Sequence, residues 1–312
     1  MNAYLGLDTS NYTTSAAVYR SDHTGHNASR LLDVPEGGLG LRQSDALYQH
    51  IRRLPERINE LNEQGMLTDI AAVGASTAPR AVEGSYMPCF LAGASQGQVL
   101  AQALGVPFFS CSHQQGHVAA AAWSVGKPEL LDAPMLSWHL SGGTTELLRV
   151  SPVNEMPQME ILGGTEDISA GQLIDRTGKR LGVAFPAGKG LDALAQQSDS
   201  REKFPVKLRG LCFSLSGVEN QVQQRIDAGM PRADVARFVL NTVADVVDRV
   251  TRAAQKEYPG LPVLCSGGVA SNTLLRQKLK YALFAEPRFS TDNAMGVAIL
   301  TARAMERGLL HG

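Results

Sequence analysis

Two stretches of this chain share one layout, and that layout limits the folds open to it. Residues 4–19 read YLGLDTSNYTTSAAVY and residues 135–150 read MLSWHLSGGTTELLRV. Each is an apolar run, a small polar turn carrying a Thr-Thr pair (Thr13-Thr14 and Thr144-Thr145), and a second run of strand-forming residues. Two such runs around a polar turn predict a hairpin. The echo predicts a duplicated domain whose first hairpin embraces a ligand. Beyond each hairpin, strand and helix patterns alternate. Leu47, Ile51, Leu54, Ile58 and Leu61 in ALYQHIRRLPERINEL fall at helical spacing, with a kink expected at Pro55. IAAVGAS and VPFFS read as short strands, GASQGQVLAQALG as a helix, and LPVLCSGGVASNTLLRQKL as strand, glycine turn and helix. Residues 233–255 read as a long helix with Val235, Phe238, Val239, Thr242, Val243, Val246 and Val250 on one face, and SPVNEMPQM as a surface loop. This alternation predicts an α/β fold, and 312 residues suggest roughly two domains.

Composition narrows the function classes. The chain is 44% hydrophobic and 19% charged, as expected of a globular protein with large cores. No apolar run reaches about 18 residues, so no membrane span is predicted. Ala3–Asp8 reads as a strand with no basic or apolar leader before it, so a cytoplasmic rather than a secreted protein is expected. Cys89, Cys111, Cys212 and Cys265 form no C-x-x-C pair and sit among apolar or small residues, which predicts reduced, mostly buried thiols. A formal net charge of −1 removes any argument from overall basicity for nucleic-acid binding. Phosphate contacts would have to come from a local basic patch or from a partner protein.

The stretch FFSCSHQQGHVAAAAW places His113 and His117 four residues apart, on one face of a helix. That spacing suits two imidazoles on one metal ion, as in H-E-x-x-H sites. Gln114 stands where a metalloprotease carries its glutamate, and an amide is no general base, so the protease reading is the weakest. Helix capping or core packing is the alternative use of the two rings, and a third ligand decides between them. Three glycine turns, each read as following a strand, are candidates for phosphate binding: Ser141-Gly142-Gly143, Pro186-Ala187-Gly188 and Ser266-Gly267-Gly268. Glycine lets a ligand approach the backbone, and the N–H groups there bind anions. No G-x-G-x-x-G or P-loop signature accompanies them. Asp175 and Asp192 are candidates for ribose hydroxyls or for a solvated helix face. Asn272 either caps the last glycine-turn helix or reaches a ligand.

The ordered motifs SHQQGH, LSGGTTEL, DISAGQLIDRTGKRLG, FPAGKGLDALA, CFSLSGV, CSGGVASNTLLR and FSTDNAMGVA resemble those of the tRNA threonylcarbamoyladenosine synthase family, formerly called O-sialoglycoprotein endopeptidases. The resemblance implies the actin-like ATPase fold of sugar kinases and heat-shock 70 proteins: two RNase H-like lobes with a ligand cleft between them. The lobes would span 1–132, with the helix at 293–312 packing back on it, and 133–292. It further implies that Asp292 is the third ligand, joining His113 and His117 on one divalent iron or zinc ion. His139, Leu140, Ser141, Gly142, Gly143, Asp175, Gly188, Asp192 and Asn272 would bind the threonylcarbamoyl-adenylate, ATP or AMP.

The implied reaction is transfer of the threonylcarbamoyl group from its adenylate to the N6 amine of the adenosine beside a tRNA anticodon, with AMP released. The implied partners are tRNA, an adenylate-forming enzyme and accessory subunits of a modification complex, with no membrane. The chain departs from the family pattern in three places. DTSNYTT stands for E-T-S-C-D-E-T, so Tyr12 and Thr13 replace an acidic pair; Thr144 follows the S-G-G; and APRAVEGSYMPCF, with Arg80, Glu83 and Tyr86, replaces a small-residue loop. The departures suit a divergent paralogue. Alternatives are a non-catalytic nucleotide- and metal-binding regulator, a carbamoyl-type transferase for another acceptor, or a kinase using Asp8.

Overall fold

Apolar residues fill consecutive rather than alternate positions of Ala3–Asp8, and strand β1 built from them is buried along its whole length. A strand covered on both faces belongs in the middle of a sheet. The computed structural model describes residues 1–10, 12–34, 41–153, 156–290 and 293–308. The chain divides into two units, Met1–Ala133 with Ser151–Met159 and Thr291–Gly312, and Pro134–Val150 with Glu160–Ser290.

In the first unit β1 is followed by β2 (Thr13–Arg20), β3 (Gly25–Leu31), α1 (Gln43–Glu63), β4 (Ile70–Ala78), α2 (Phe90–Leu104), β5 (Phe108–Ser112) and α3 (His113–Ser124). The strands lie in the order β3-β2-β1-β4-β5. β1, β2 and β3 pair antiparallel, and β4 and β5 join parallel. Helix α1 runs through Pro55 without a break.

The second unit holds β6 (Met135–Leu140), β7 (Thr145–Val153) up to Val150, β8 (Met156–Thr165) from Glu160, α4 (Ala170–Arg180), α5 (Gly188–Ala195), β9 (Leu208–Arg209), β10 (Cys212–Phe213), α6 (Ser216–Asp227), α7 (Arg232–Glu257), β11 (Val263–Ser266), α8 (Thr273–Lys278) and β12 (Leu283–Phe284). Its sheet order is β12-β11-β6-β7-β8-β10-β9. The run β8-β7-β6-β11-β12 repeats β3-β2-β1-β4-β5 of the first unit. The two hairpins that looked alike in sequence, β1–β2 and β6–β7, occupy equivalent places, so the echo marks a repeated topology. The stretch SPVNEMPQM is not a loop throughout: strands β7 and β8 extend through residues 151–153 and 156–159.

The last helix, α9 (Met295–Glu306), packs on the first unit's sheet. Strand alternation assigns the faces. A Cβ on Gly6 would lie 2.4 Å from Ala298 N of α9, whereas Gly97 of α2 faces Leu7 and Ala75. Successive residues of a strand point to opposite faces, so β1 and β4 are sandwiched between α2 and α9. Each unit has its own apolar core, one around Leu5, Leu7, Leu54 and Val73, the other around Trp138, Phe213, Phe238 and Val239. Cys89, Cys111 and Cys265 are buried, and Cys212 is partly buried. Burial pushes the Cys265 thiol up to about 12. Among the described residues no helix is long and apolar enough to cross a membrane.

Candidate functional site

In the first unit the site is built where strands β1, β4 and β5 end. Strand β5 passes directly into α3, and Ser112 caps that helix. Its hydroxyl accepts from Gln115 N (3.2 Å), and Gln115 Oε1 accepts from Ser112 N (2.7 Å). This reciprocal cap fixes the first turn of the helix. It sets His113 at the first helical position, with His117 one turn further. Their Nε2 atoms are 2.8 Å apart and their rings meet edge to face. The two Nε2 atoms share a hydrogen bond, and two nitrogens on one tetrahedral ion at zinc–nitrogen distances would stand roughly 3.3 Å apart, so the rings must separate by about half an ångström to hold a metal. His117 is buried, and the side chain of His113 keeps 19% exposure, so the pair is reachable from one side.

The other nitrogen of His113 explains the orientation of the ring. Its Nδ1 lies 2.8 Å from Asp8 Oδ2. Asp8 is itself 1% exposed, and Oδ1 accepts from Ser76 Oγ (2.6 Å) and Ser10 N (3.1 Å). A carboxylate on the far nitrogen of a ligating histidine fixes its tautomer and raises its basicity. Sequence reasoning treated Asp8 only as a kinase acid. Its signal was its place at the carboxyl end of a central strand, where ligands of open α/β sheets bind. Asp292 lies outside the described residues. Among the described residues no group of three His, Cys, Asp or Glu side chains surrounds a single ion position.

Two glycines let α3 come close to the element that follows Asp292. A Cβ on Gly296 would fall 1.8 Å from Gly116 O. Gly116 lies between the two histidines, so α3 and α9 touch backbone to backbone beside the pair. Asn293 Oδ1 accepts from Met295 N, and Asn27 Oδ1 accepts from Ala294 N, which anchors the start of α9.

The departures from the family pattern have plain local structure. Tyr12 O accepts from Leu32 N, and Thr13 N donates to Ser10 O in the β1–β2 turn. Thr13 is buried. In the Arg80 loop, Arg80 N donates to Ser85 Oγ, and Val82 and Tyr86 are each more than 60% exposed. The loop meets α3 at its start, where Gln114 N donates to Pro79 O, and its exposed valine and tyrosine make it unlike a bare small-residue turn.

In the second unit the turn after β6 is closed twice, by Ser141 N on Thr144 O (2.8 Å) and Thr144 N on Ser141 Oγ (3.0 Å). Ser169 Oγ, which caps α4, donates to Gly142 O, and Ala170 N donates to Thr145 Oγ1. Helix α4 thus starts against the turn. Gly171 is required there because a Cβ would stand 2.4 Å from Ser141 O. The turn at Ser266–Gly268 lies alongside. β11 pairs parallel to β6, with Ser266 opposite His139, and Gly267 at φ 93° passes so close that a Cβ would meet Leu140 O at 2.2 Å. Around Gly142, Gly143, Gly188 and Gly268 no atom comes within 4 Å of an added Cβ, so these backbones face open space.

The third turn is a correction. Pro186-Ala187-Gly188 follows α4, not a strand, because Asp175 of that helix accepts from Ala187 N (2.8 Å) and folds the connection back onto α5. Nor is either aspartate a solvated helix face. Asp192 accepts from Asn272 Nδ2 (3.0 Å), Thr273 Oγ1 (2.6 Å) and Thr273 N (3.3 Å). Asn272 Oδ1 accepts from Leu275 N, so the residue does cap α8 and also gives its amide to Asp192. The structure therefore brings together Asp192 and Asn272, and separately the glycine turns at 141–143 and 266–268. Thr273 was not singled out in the sequence.

Residues 34–299 match the family described as TsaD: tRNA N6-adenosine threonylcarbamoyltransferase. The tRNA N6-adenosine threonylcarbamoyltransferase of Thermus thermophilus is 31% identical over 315 residues, covering 97% of this chain and 93% of that protein. The protein of the same name from Nitrosomonas eutropha is also 31% identical, over 97% of this chain and 92% of its own length. Among solved structures, full-length HypF in its phosphate- and nucleotide-bound form superposes with a TM-score of 0.62 at 14% identity, covering all of this chain, which spans 56% of the HypF chain. The activator of 2-hydroxyisocaproyl-CoA dehydratase from Clostridium difficile, with bound ADPNP, gives 0.53 at 13% identity over 99% of this chain and 98% of its own. At such low identities these two likenesses establish the fold, the actin-like ATPase type. With the family match spanning most of its length, the chain belongs to the tRNA N6-adenosine threonylcarbamoyltransferase family.

Proposed function

We infer that this protein transfers a threonylcarbamoyl group from threonylcarbamoyl-adenylate to the N6 amine of the adenosine next to the anticodon of tRNA. The observation that carries the reading is the family match over residues 34–299. In the transfer the amine nitrogen bonds to the carbamoyl carbon, the carbon–oxygen bond to phosphate breaks, AMP leaves, and the amine loses a proton. The adenylate is a mixed anhydride with a good leaving group, so no protein nucleophile is needed.

His113, His117 and Asp292 are assigned to one divalent ion, iron or zinc. Such an ion, when bound, supplies Lewis acidity toward phosphate and carbonyl oxygens. Asp8 holds the His113 ring with Nδ1 engaged, which leaves Nε2 to face the ion. The open backbones at Gly142, Gly143 and Gly268 present N–H groups to the phosphate, and N–H donors aimed at developing charge stabilise the transition state. Asp175 and Asp192, each already holding a protein N–H, are assigned to ribose hydroxyls, because a carboxylate offers about four acceptor positions. Asn272 and Gly188 border the same ligand, and His139 and Leu140 lead the chain into the phosphate turn. Buried, reduced cysteines suit a cytoplasmic setting. An adenylate-forming enzyme must supply the donor, and accessory subunits complete the reaction.

The test is direct. Purified protein is incubated with unmodified tRNA and the adenylate, with and without partner proteins, and the nucleosides are analysed by mass spectrometry. Threonylcarbamoyladenosine is expected, with AMP released in equal amount. Elemental analysis should find about one transition-metal ion per chain, lost in His113→Ala. No modified nucleoside under any condition, with AMP still bound, would favour the regulator instead.

A further inference from the structure

An RNA acceptor is gripped chiefly through its phosphates. With a formal net charge of −1 the chain must do this locally. The second unit contains a cavity of about 300 Å³ lined by Arg201, Lys203, Arg237 and Lys278, with Asn241 and Asp245 beside them. Four cations thus face one carboxylate of the lining, and Lys278 Nζ also lies 4.0 Å from Asp248 Oδ2 outside it. Asp245 is occupied from two sides, hydrogen-bonded to Lys203 and 3.6 Å from Arg249 Nη1. Arg237 is tied by one bond to Ala195 O (3.3 Å), and its buried Nε has no hydrogen-bond partner. Arg201 is exposed. Among the described residues neither Arg201 nor Arg237 has a carboxylate within 4.0 Å.

The lining also says which anion fits. Its apolar members are Ala244 and Leu274, with no aromatic ring to stack a base. The glycine turns that face open space lie elsewhere in the unit. A nucleotide is therefore poorly matched, whereas a phosphodiester needs only converging cations. The cavity is also linked to the adenylate residues. Lys278 ends α8, and the same helix begins with Thr273, bonded to Asp192. That helix is about 8 Å long by its rise per residue. Arg237 in turn holds the carboxyl end of α5, the helix that carries Asp192.

We propose that this pocket binds a backbone phosphate of the RNA acceptor and so positions it relative to the adenylate. The proposal rests on the transferase reading. Contacts of this kind fix register and carry no sequence information, so the pocket contributes to holding tRNA without choosing the base. Arg201 and Lys278 reach it from exposed positions, and replacing them leaves the core, the glycine turns and the histidine pair untouched.

The experiment compares the wild type with Arg201→Ala/Lys278→Ala, and separately with Arg237→Gln. Binding of unmodified tRNA is measured by fluorescence anisotropy across salt from about 50 to 200 mM, since each phosphate contact adds roughly 0.7–0.9 to the salt slope. The double variant should weaken tRNA binding severalfold and flatten the slope by roughly 0.7–0.9, the share of one phosphate, equally for unrelated tRNA sequences. AMP affinity should not change. Inorganic phosphate as competitor separates the sources. Displacement of tRNA only at high phosphate supports an RNA site, whereas pocket-dependent phosphate binding with no effect on tRNA overturns it. Equal tRNA affinity and slope in wild type and variant also overturn it, as does a wild type that binds no tRNA. The transferase reading is judged apart, by nucleoside analysis of the wild type: it can stand while the pocket fails, and its own failure shows as no modified nucleoside at all.

Discussion

Replacing Asp8 by asparagine tests whether the buried carboxylate prepares His113 for a metal. The carboxylate has two oxygens with different duties, Oδ2 on His113 Nδ1 at 2.8 Å and on Ser10 Oγ at 3.3 Å, and Oδ1 on Ser76 Oγ and Ser10 N at 2.6 and 3.1 Å. An amide offers one acceptor and one donor. If its oxygen stays with Ser76 and Ser10, its NH2 group meets His113 Nδ1. That nitrogen must then accept, and the ring proton moves to Nε2, the atom facing His117. If the amide is turned, its NH2 opposes the donors of Ser76 and Ser10 in a site where Asp8 is 1% exposed. A buried donor left without an acceptor costs about 1–3 kcal/mol. Loss of such a supporting carboxylate typically weakens metal binding 10–100-fold. This corresponds to about 1.4–2.7 kcal/mol. Asp8→Asn should therefore bind zinc about 10–100-fold more weakly in a competition against a chromophoric chelator, with an unchanged circular dichroism spectrum. Equal affinity in Asp8→Asn, with binding abolished in His113→Ala, would refute the role of the carboxylate.

Three further outcomes follow from other places in the fold. Gly143→Val should fold normally, since nothing lies within 4 Å of the new Cβ, yet lose AMP affinity by at least about tenfold because the side chain blocks the backbone approach; unchanged affinity by calorimetry removes the 141–143 turn from the site. Gly296→Ala drives a methyl group to 1.8 Å from Gly116 O, so the α3–α9 contact must open at a cost of about 1–3 kcal/mol; thermal unfolding should come several degrees earlier and zinc binding should weaken, and an unaltered transition contradicts the contact. Tyr12→Asp restores one acid of the first hairpin and should raise transfer to tRNA within the roughly 10²–10⁴-fold range of a positioned acid or base. Thr13 is 7% exposed, which makes a glutamate there costly. Full restoration of threonylcarbamoyladenosine by the unaltered chain, in cells depleted of their own enzyme, would show that the acidic pair is dispensable.

Much of the fold was legible because it is written in local periodicity. Hairpins at 4–19 and 135–150, the helix through Leu47–Leu61 and the long helix around Val235–Val250 depend on residues a few positions apart, and the structure has all of them. The histidine pair belongs to the same class, since a helix alone makes i and i+4 neighbours. The shape of the turn at Pro186–Gly188 was not legible in this way, because Asp175 shapes it from the previous helix. Nor was the extension of β7 to Val153 and of β8 back to Met156, where prolines at 152 and 157 suggest a loop on their own.

The sequence by itself determined the alternation of elements, the repeat of the hairpin, the spacing of His113 and His117, and, through its ordered motifs, the family. Only the tertiary structure decided what those groups touch. Asp8 reaches His113 across 105 residues because β1, β4 and β5 are neighbouring parallel strands of one mixed sheet and end at the same edge. Asp192 meets Asn272 across 80 residues because α5 packs on α7, and α7 on α8. The basic pocket collects residues near 201, 237 and 278 from a connecting segment and two helices, α7 and α8. A helix or hairpin is specified by interactions within a few residues, so its pattern survives in a linear string. A contact between distant residues is set by strand order and helix packing, and no spacing in the chain records it.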